Sequence, residues 1–222
     1  RTAALFCLFP ALVSHQARAL VITYPGRANV DIVVSPDAPA PDRLATDELA
    51  QFLHKISGAR FEIKDHPEPN RSCILVGPQA ARIVMPSFSA DSLGEEGIII
   101  RTTPKNLILA GGSPRGTLYA VYTFLEDYLG CRWWSSKVST IPKTDKIQLP
   151  PINIRYVPPL EYREPFWYDA FDGDWAARNK CNGHTHRLDA KHGGKHIYEG
   201  FVHTFYSLIP PQKYFKDHPE WF

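Results

Sequence analysis

Residues 107–134 read LILAGGSPRGTLYAVYTFLEDYLGCRWW, and this stretch decides the fold. Leu107, Ile108 and Leu109 form an apolar run of strand character, and Gly111-Gly112 ends it in a tight turn. Ser113 and Pro114 suit the cap and first turn of a helix. Leu118, Val121, Tyr122, Leu125 and Leu129 then recur at helical spacing on one face. Gly130 stands where a left-handed C-terminal glycine belongs, and Cys131 to Trp134 suit a further strand. GGSPRG is neither the dinucleotide fingerprint nor a P-loop. It reads as a turn that lets the helix pack on its strand, with an anion cradle as the alternative. Arg115, close to a helix N-terminus, calls for a carboxylate partner.

Upstream, Val30–Val34 is a β-branched strand, and a helix runs from near Asp42 to Gly58 with Ala45, Leu49, Phe52, Leu53 and Ile56 on one face. Arg60–Lys64 alternates like a half-buried strand, and Cys73–Val76 is a fully apolar one. A short helix through Arg82 follows, then the strand Gly97–Thr102, turned by Lys105-Asn106 into the Leu107 run. Helices and strands share one core, so residues 20–150 are expected to form a mixed-sheet α/β domain. Asp47, Glu48, Glu95, Glu96 and Glu126 fall on solvated faces or in turns, and nothing in this half reads as a catalytic constellation.

Residues 1–19 read as a signal peptide: Arg1, an apolar run from Ala3 to Val13, and an A-x-A site at Ala17-Arg18-Ala19, with cleavage after Ala19. The run is too short to span a membrane, which takes about 20 residues. Secretion or export to the periplasm is expected, without stable membrane insertion. Cys73, Cys131 and Cys181 form no C-x-x-C pair and no disulfide framework. A net charge of +2 without a basic stripe gives no reason to expect nucleic acid.

Prolines 142, 150, 151, 158 and 159 mark a linker, placed at 151–159, after which the composition turns aromatic. Leu160–Glu164 and Phe201–Phe205 read as strands, Asp174–Lys180 and the segment from Pro210 as short helices, and Gly183–Gly200 as a loop. Strand, helix, strand and helix start is how a (β/α)8 barrel begins, and a complete barrel takes about 250 residues. Residues 160–222 are therefore expected to be the first part of a truncated TIM barrel.

Sugar recognition wants flat rings with Arg, Asn, His and Asp around them. Residues 161–175 supply both, including Trp167 and Asp169, and Arg163 and His203 would lie at strand ends facing a barrel mouth. His184, His186, His192 and His196 lack the spacing of a structural zinc site, so neither metal nor cofactor is expected. Glycoside hydrolysis needs two carboxylates at a set separation, and no pattern singles out a pair among Asp169, Asp172, Asp174, Asp189 and Glu199.

The blocks DELAQFLHKISG, SCILVGP, GIIIRT, RGTLYAVYTFLEDYLGCRWW, YREPFWYDAFDGDWAARNKCNG and HTFYSLIPPQKYFKDHPEWF resemble the front part of secreted bacterial proteins of the domain-of-unknown-function family 4838. That family is similar in layout to family 67 alpha-glucuronidases and family 20 hexosaminidases, which place a small α/β domain before a catalytic TIM barrel. The resemblance implies an accessory domain at 20–150, a carbohydrate substrate, and catalytic acids on later strands, so no catalytic residue is assigned within this chain. It implies Arg163 as a sugar-holding residue on the first barrel strand, with His203 and Asn182 at barrel-end positions. The expected function is that of the N-terminal portion of a glycoside hydrolase, inactive alone; a non-catalytic carbohydrate-binding or cell-surface module is the alternative.

Overall fold

A computed structural model describes residues 19–200 and 202–222. The expected leader, all but Ala19, lies outside the described residues.

Six strands form the central sheet in the order Asn153–Tyr156, Ile98–Thr102, Asn106–Gly111, Ser72–Val76, Val30–Val34, Ile63–Lys64. The last four run parallel, and the first two join them through antiparallel pairs. Alternate side chains leave opposite faces. Ile32, Ile74, Ile100, Leu107 and Leu109 meet helices α1 (Ala40–Ser57) and α3 (Gly116–Asp127). Val33, Leu75, Ile99 and Ile108 meet the shorter α2 (Pro78–Val84), Phe88 and Leu93 on the other side. The β-branched runs were expected to be strands, and this two-sided burial explains why, Asp31 apart, they are apolar on both faces rather than alternating.

The glycine turn has a packing reason. A Cβ on Gly112 would stand 1.8 Å from the Gly94 carbonyl oxygen, and one on Gly116 would stand 2.4 Å from that of Gly97. This closeness also corrects the cap. The backbone N–H groups of Arg115 and Gly116 both donate to the Glu95 carbonyl at 3.0 Å, so the loop 93–97 satisfies the helix start and Ser113 does not. Helix α3 begins two residues after Pro114.

Arg132–Trp133 does form a strand, but it pairs with Ser139–Thr140 in a separate hairpin rather than with the central sheet. The Trp133 ring stands edge-on to Phe52 of α1 and Tyr122 of α3, 5.4 and 5.6 Å between centroids.

The second half departs further from expectation. The linker contains the edge strand Asn153–Tyr156. Leu160–Glu164 joins no sheet, and α5 (Phe205–Leu208) begins inside the expected strand Phe201–Phe205, whose first residue lies outside the described set. Two expected helices are present, as α4 (Gly173–Arg178) and α6 (Pro211–Tyr214). The interior of this half is borrowed: Ala170, Trp175, Ala176, Ala177, Cys181 and Leu188 belong to the same core as α1 and α3.

Candidate functional site

The place where the two halves meet is built around Glu96. This side chain lies in the loop before the Ile98–Thr102 strand and is 7% exposed, which corrects its expected place in a solvated turn. Its Oε1 accepts from Arg115 Nε and from Asn182 Nδ2, both at 2.7 Å. Its Oε2 accepts from Arg163 Nη2. Arg115 is 4% exposed; burial alone would depress its pKa, and its neighbours, Glu96 foremost with Tyr119 and Glu95, more than reverse that and hold it raised. Its Nη2 also reaches Glu95, and its Nη1 donates to the Gly193 carbonyl at 3.1 Å. The carboxylate partner expected for Arg115 is thus a pair of adjacent acids.

Arg163 and Asn182 come together at this node. The Arg163 N–H donates to Asn182 Oδ1 at 2.8 Å, and Asn182 N–H donates back to the Arg163 carbonyl at 3.1 Å. The guanidinium also donates from Nε to the Lys180 carbonyl, 2.7 Å, and from Nη1 to that of Leu160, 2.6 Å. It lies over the Tyr119 ring, 5.9 Å from the centroid, and the Tyr119 hydroxyl donates to the Cys181 carbonyl at 3.1 Å. Asn182 is shut off from solvent, with its amide consumed by Glu96, Arg163 and the Glu161 carbonyl. It holds Arg163 and Glu96 in place rather than meeting solvent. Burial raises the Tyr119 phenol well above its ordinary pKa, so it stays a neutral donor.

The other two expected sugar contacts lie elsewhere. Trp167 is 44% exposed and packs edge-on to Trp175 at 5.4 Å, whose indole N–H donates to the Trp133 carbonyl. His203 is exposed, at a backbone φ of 56° just before α5.

Two further ion pairs tie the halves together. Arg178 of α4 grips Glu48 of α1 with two parallel bonds of 2.9 and 3.0 Å, and Tyr122 adds a third to the same carboxylate at 3.2 Å. Lys180 pairs with Glu126. In all three contacts the cation belongs to the aromatic half and the acid to the α/β half. Charge sign along a sequence does not show which charges will be buried; the one signal available was that Arg178 follows the apolar Trp175-Ala176-Ala177 run.

A cleft of about 470 Å³ opens beside the node. Tyr119, Ile154, Tyr156 and Pro158 form its apolar wall, and Arg163 and Lys180 border it. A smaller cleft of about 320 Å³ lies across Pro158, lined by Glu95, Glu96, Arg115 and His196.

The four loop histidines are dispersed. His186 is buried with Nδ1 2.5 Å from the Ala170 carbonyl, and His192 is buried between Asp174 and Asp189 at 2.9 and 3.0 Å. His196 lies 3.4 Å from Arg115, and His184 Nδ1 accepts the Tyr198 N–H at 3.2 Å. Among the described residues no group of three or more His, Cys, Asp or Glu side chains is placed to hold a metal.

At the C-terminal ends of the parallel strands, where doubly wound sheets take ligands, a carboxylate already stands. Asp42, in the first turn of α1, is 4% exposed, and a Cβ on Gly77 would come 2.4 Å from its Oδ2. Burial pushes its pKa up to about 6 against a bond from Thr117 that lowers it. A built-in acid here disfavours the anion cradle, and the steric role of the glycines accounts for GGSPRG.

Comparison with known proteins gives two successive family matches. Residues 22–124 match the glycosyl hydrolase family 67 N-terminus, and residues 133–222 match a domain of unknown function, DUF4838. A solved family GH115 4-O-methyl-alpha-glucuronidase with specificity for decorated arabinogalactans superposes with a TM-score of 0.59 at 17% identity over 80% of the chain. A Streptomyces plicatus beta-hexosaminidase gives 0.42 at 15% identity over 66%. The chain spans 29% of the glucuronidase and 25% of the hexosaminidase. No curated protein matches it in sequence. Among the described residues no helix is long and apolar enough to cross a membrane. With a family 67 N-terminus followed by DUF4838, the chain resembles DUF4838 glycosidase-like proteins over two successive stretches, each less than half its length.

Proposed function

We propose that this chain is the N-terminal portion of an exported glycoside hydrolase acting on a polysaccharide or glycan. In this reading residues 20–150 are its accessory domain and 160–222 the opening of its catalytic barrel. One observation carries the reading: the match to the glycosyl hydrolase family 67 N-terminus over residues 22–124. Burial adds support. Four acids near the node are occupied and, among the described residues, Asp127 alone on the adjoining cleft wall is not: Glu96 is held by two arginines, Glu48 by Arg178, Glu126 by Lys180, and Glu164 by Tyr162 and Thr185. A glycosidase needs one carboxylic acid free to donate a proton and one carboxylate free to attack or activate water. The reading therefore puts both on residues outside this chain.

Arg163 is the best supported sugar contact of the four, because it alone borders a cleft while Asn182 braces it from behind. Trp167 and His203 would serve other subsites. The test is turnover of 4-nitrophenyl glycosides, alpha-glucuronide and beta-N-acetylhexosaminide included. The 222-residue chain is expected to show none, and a protein extended through the following barrel strands is expected to hydrolyse at least one. Turnover by the short chain, or a stop codon directly after Phe222, would overturn the reading.

A further inference from the structure

We propose that the cleft between α3, the edge strand Asn153–Tyr156 and Arg163 is a recognition subsite for a neutral saccharide, one or two rings long. The inference rests on the carbohydrate-active reading above and concerns binding alone. A volume of about 470 Å³ falls in the range of small-ligand sites. Tyr156, half exposed, lines the cleft, and Ile154 and Tyr119 continue the apolar wall that sugar C–H faces require.

The charges select the ligand. Both cations on the cleft wall are already matched there, Arg163 by Glu96 and Lys180 by Glu126. Asp127, exposed on the last turn of α3, is left over, so the cleft carries a surplus of negative charge. A uronic acid would meet that surplus with no spare cation. A neutral sugar fits: Asp127 accepts from hydroxyl groups, and Arg163, with three of its five N–H groups committed to protein acceptors, keeps two for hydroxyl oxygens.

The experiment is a ¹⁵N-edited NMR titration of the chain with cellobiose, xylobiose and lactose, and with glucuronic acid as the charged probe. Saturable shifts at Thr123, Ile154, Tyr156 and Lys180 are expected with at least one neutral disaccharide, and weaker binding of glucuronic acid. Tyr156→Ala should weaken binding at least fivefold with an unchanged melting curve, and Asp127→Asn should narrow the gap between neutral and charged probes. No saturable shift with any neutral disaccharide would overturn the proposal, as would tighter binding of glucuronic acid or indifference to Tyr156→Ala. The enzymatic reading fails separately: binding here with no turnover by the extended protein keeps the subsite and removes the hydrolase, and turnover without binding here does the reverse.

Discussion

The two halves of this chain hold their aromatic residues in opposite ways. In the α/β half, Phe52, Tyr119, Tyr122, Phe124 and Trp133 are at most 4% exposed, inside a core closed by six strands and two helices. In the other half Phe166, Tyr168, Phe205 and Tyr206 are all at least 70% exposed, and the buried Trp175 contributes to the first half's core rather than to one of its own. The first half supplies most of the shared core. The second is held in shape by what it leans on: one apolar contact around Trp175 and three ion pairs whose cations it supplies.

The largest expected effect comes from breaking the central ion pair. Glu96→Ala leaves Arg115 and Arg163 close together without their shared acid, and losing one member of a buried charge network costs about 3–5 kcal/mol. Limited proteolysis should then cut within 160–200 while the central sheet stays protected from hydrogen exchange; unchanged cleavage would show that the aromatic half needs no anchor. Next comes Trp175→Ala, expected to cost about 3 kcal/mol in urea unfolding through the cavity left between Trp167 and Trp133. If it moves only the aromatic half, the shared core divides in two.

Asp42 tests the other side of the comparison, because it lies wholly within the α/β half. Its folded pKa of about 6 exceeds the ordinary 3.8, so between those values the folded chain holds a proton that the unfolded chain has released. Stability is therefore expected to fall as pH rises from about 4 through 6, by about 2–3 kcal/mol. Asp42→Asn should flatten that slope in urea titrations, and a slope that persists would assign it to another group. The smallest effect is Phe205→Ser: an exposed ring on the aromatic half is expected to change stability by less than about 0.5 kcal/mol. A larger loss would show the surface aromatics to be holding that half together.

The same contrast decides what could be read from sequence. The strands Val30–Val34, Ser72–Val76 and Asn106–Gly111 and helix α1 announce themselves through local pattern, because each buries a face against neighbours that the chain itself supplies. Asn153–Tyr156 did not, since prolines on both sides gave it the look of a linker and an edge strand needs only one partner. Arg163 was legible as a polar residue worth attention, and Asn182 only through the family resemblance, but Glu96, some 67 positions from Arg163, was not. A buried acid and a solvated one are spelled alike, and only the fold brings Arg115, Arg163 and Asn182 around one carboxylate. The strand expected at Leu160–Glu164 had the right composition but no ladder to join among the described residues.

The central sheet is open at both ends, and each end carries a guard. On one side lies Ile63–Lys64, two residues long, with Lys64 paired to the buried Asp31. On the other lies Asn153–Tyr156, where the Arg155 guanidinium is tied to the Asp91 carbonyl and the Ser92 hydroxyl at 2.7 and 2.8 Å. A short strand and a fixed cation are poor templates for a second copy to add its own strand. Such guards keep a finished sheet from recruiting still-folding copies of the chain into fibres.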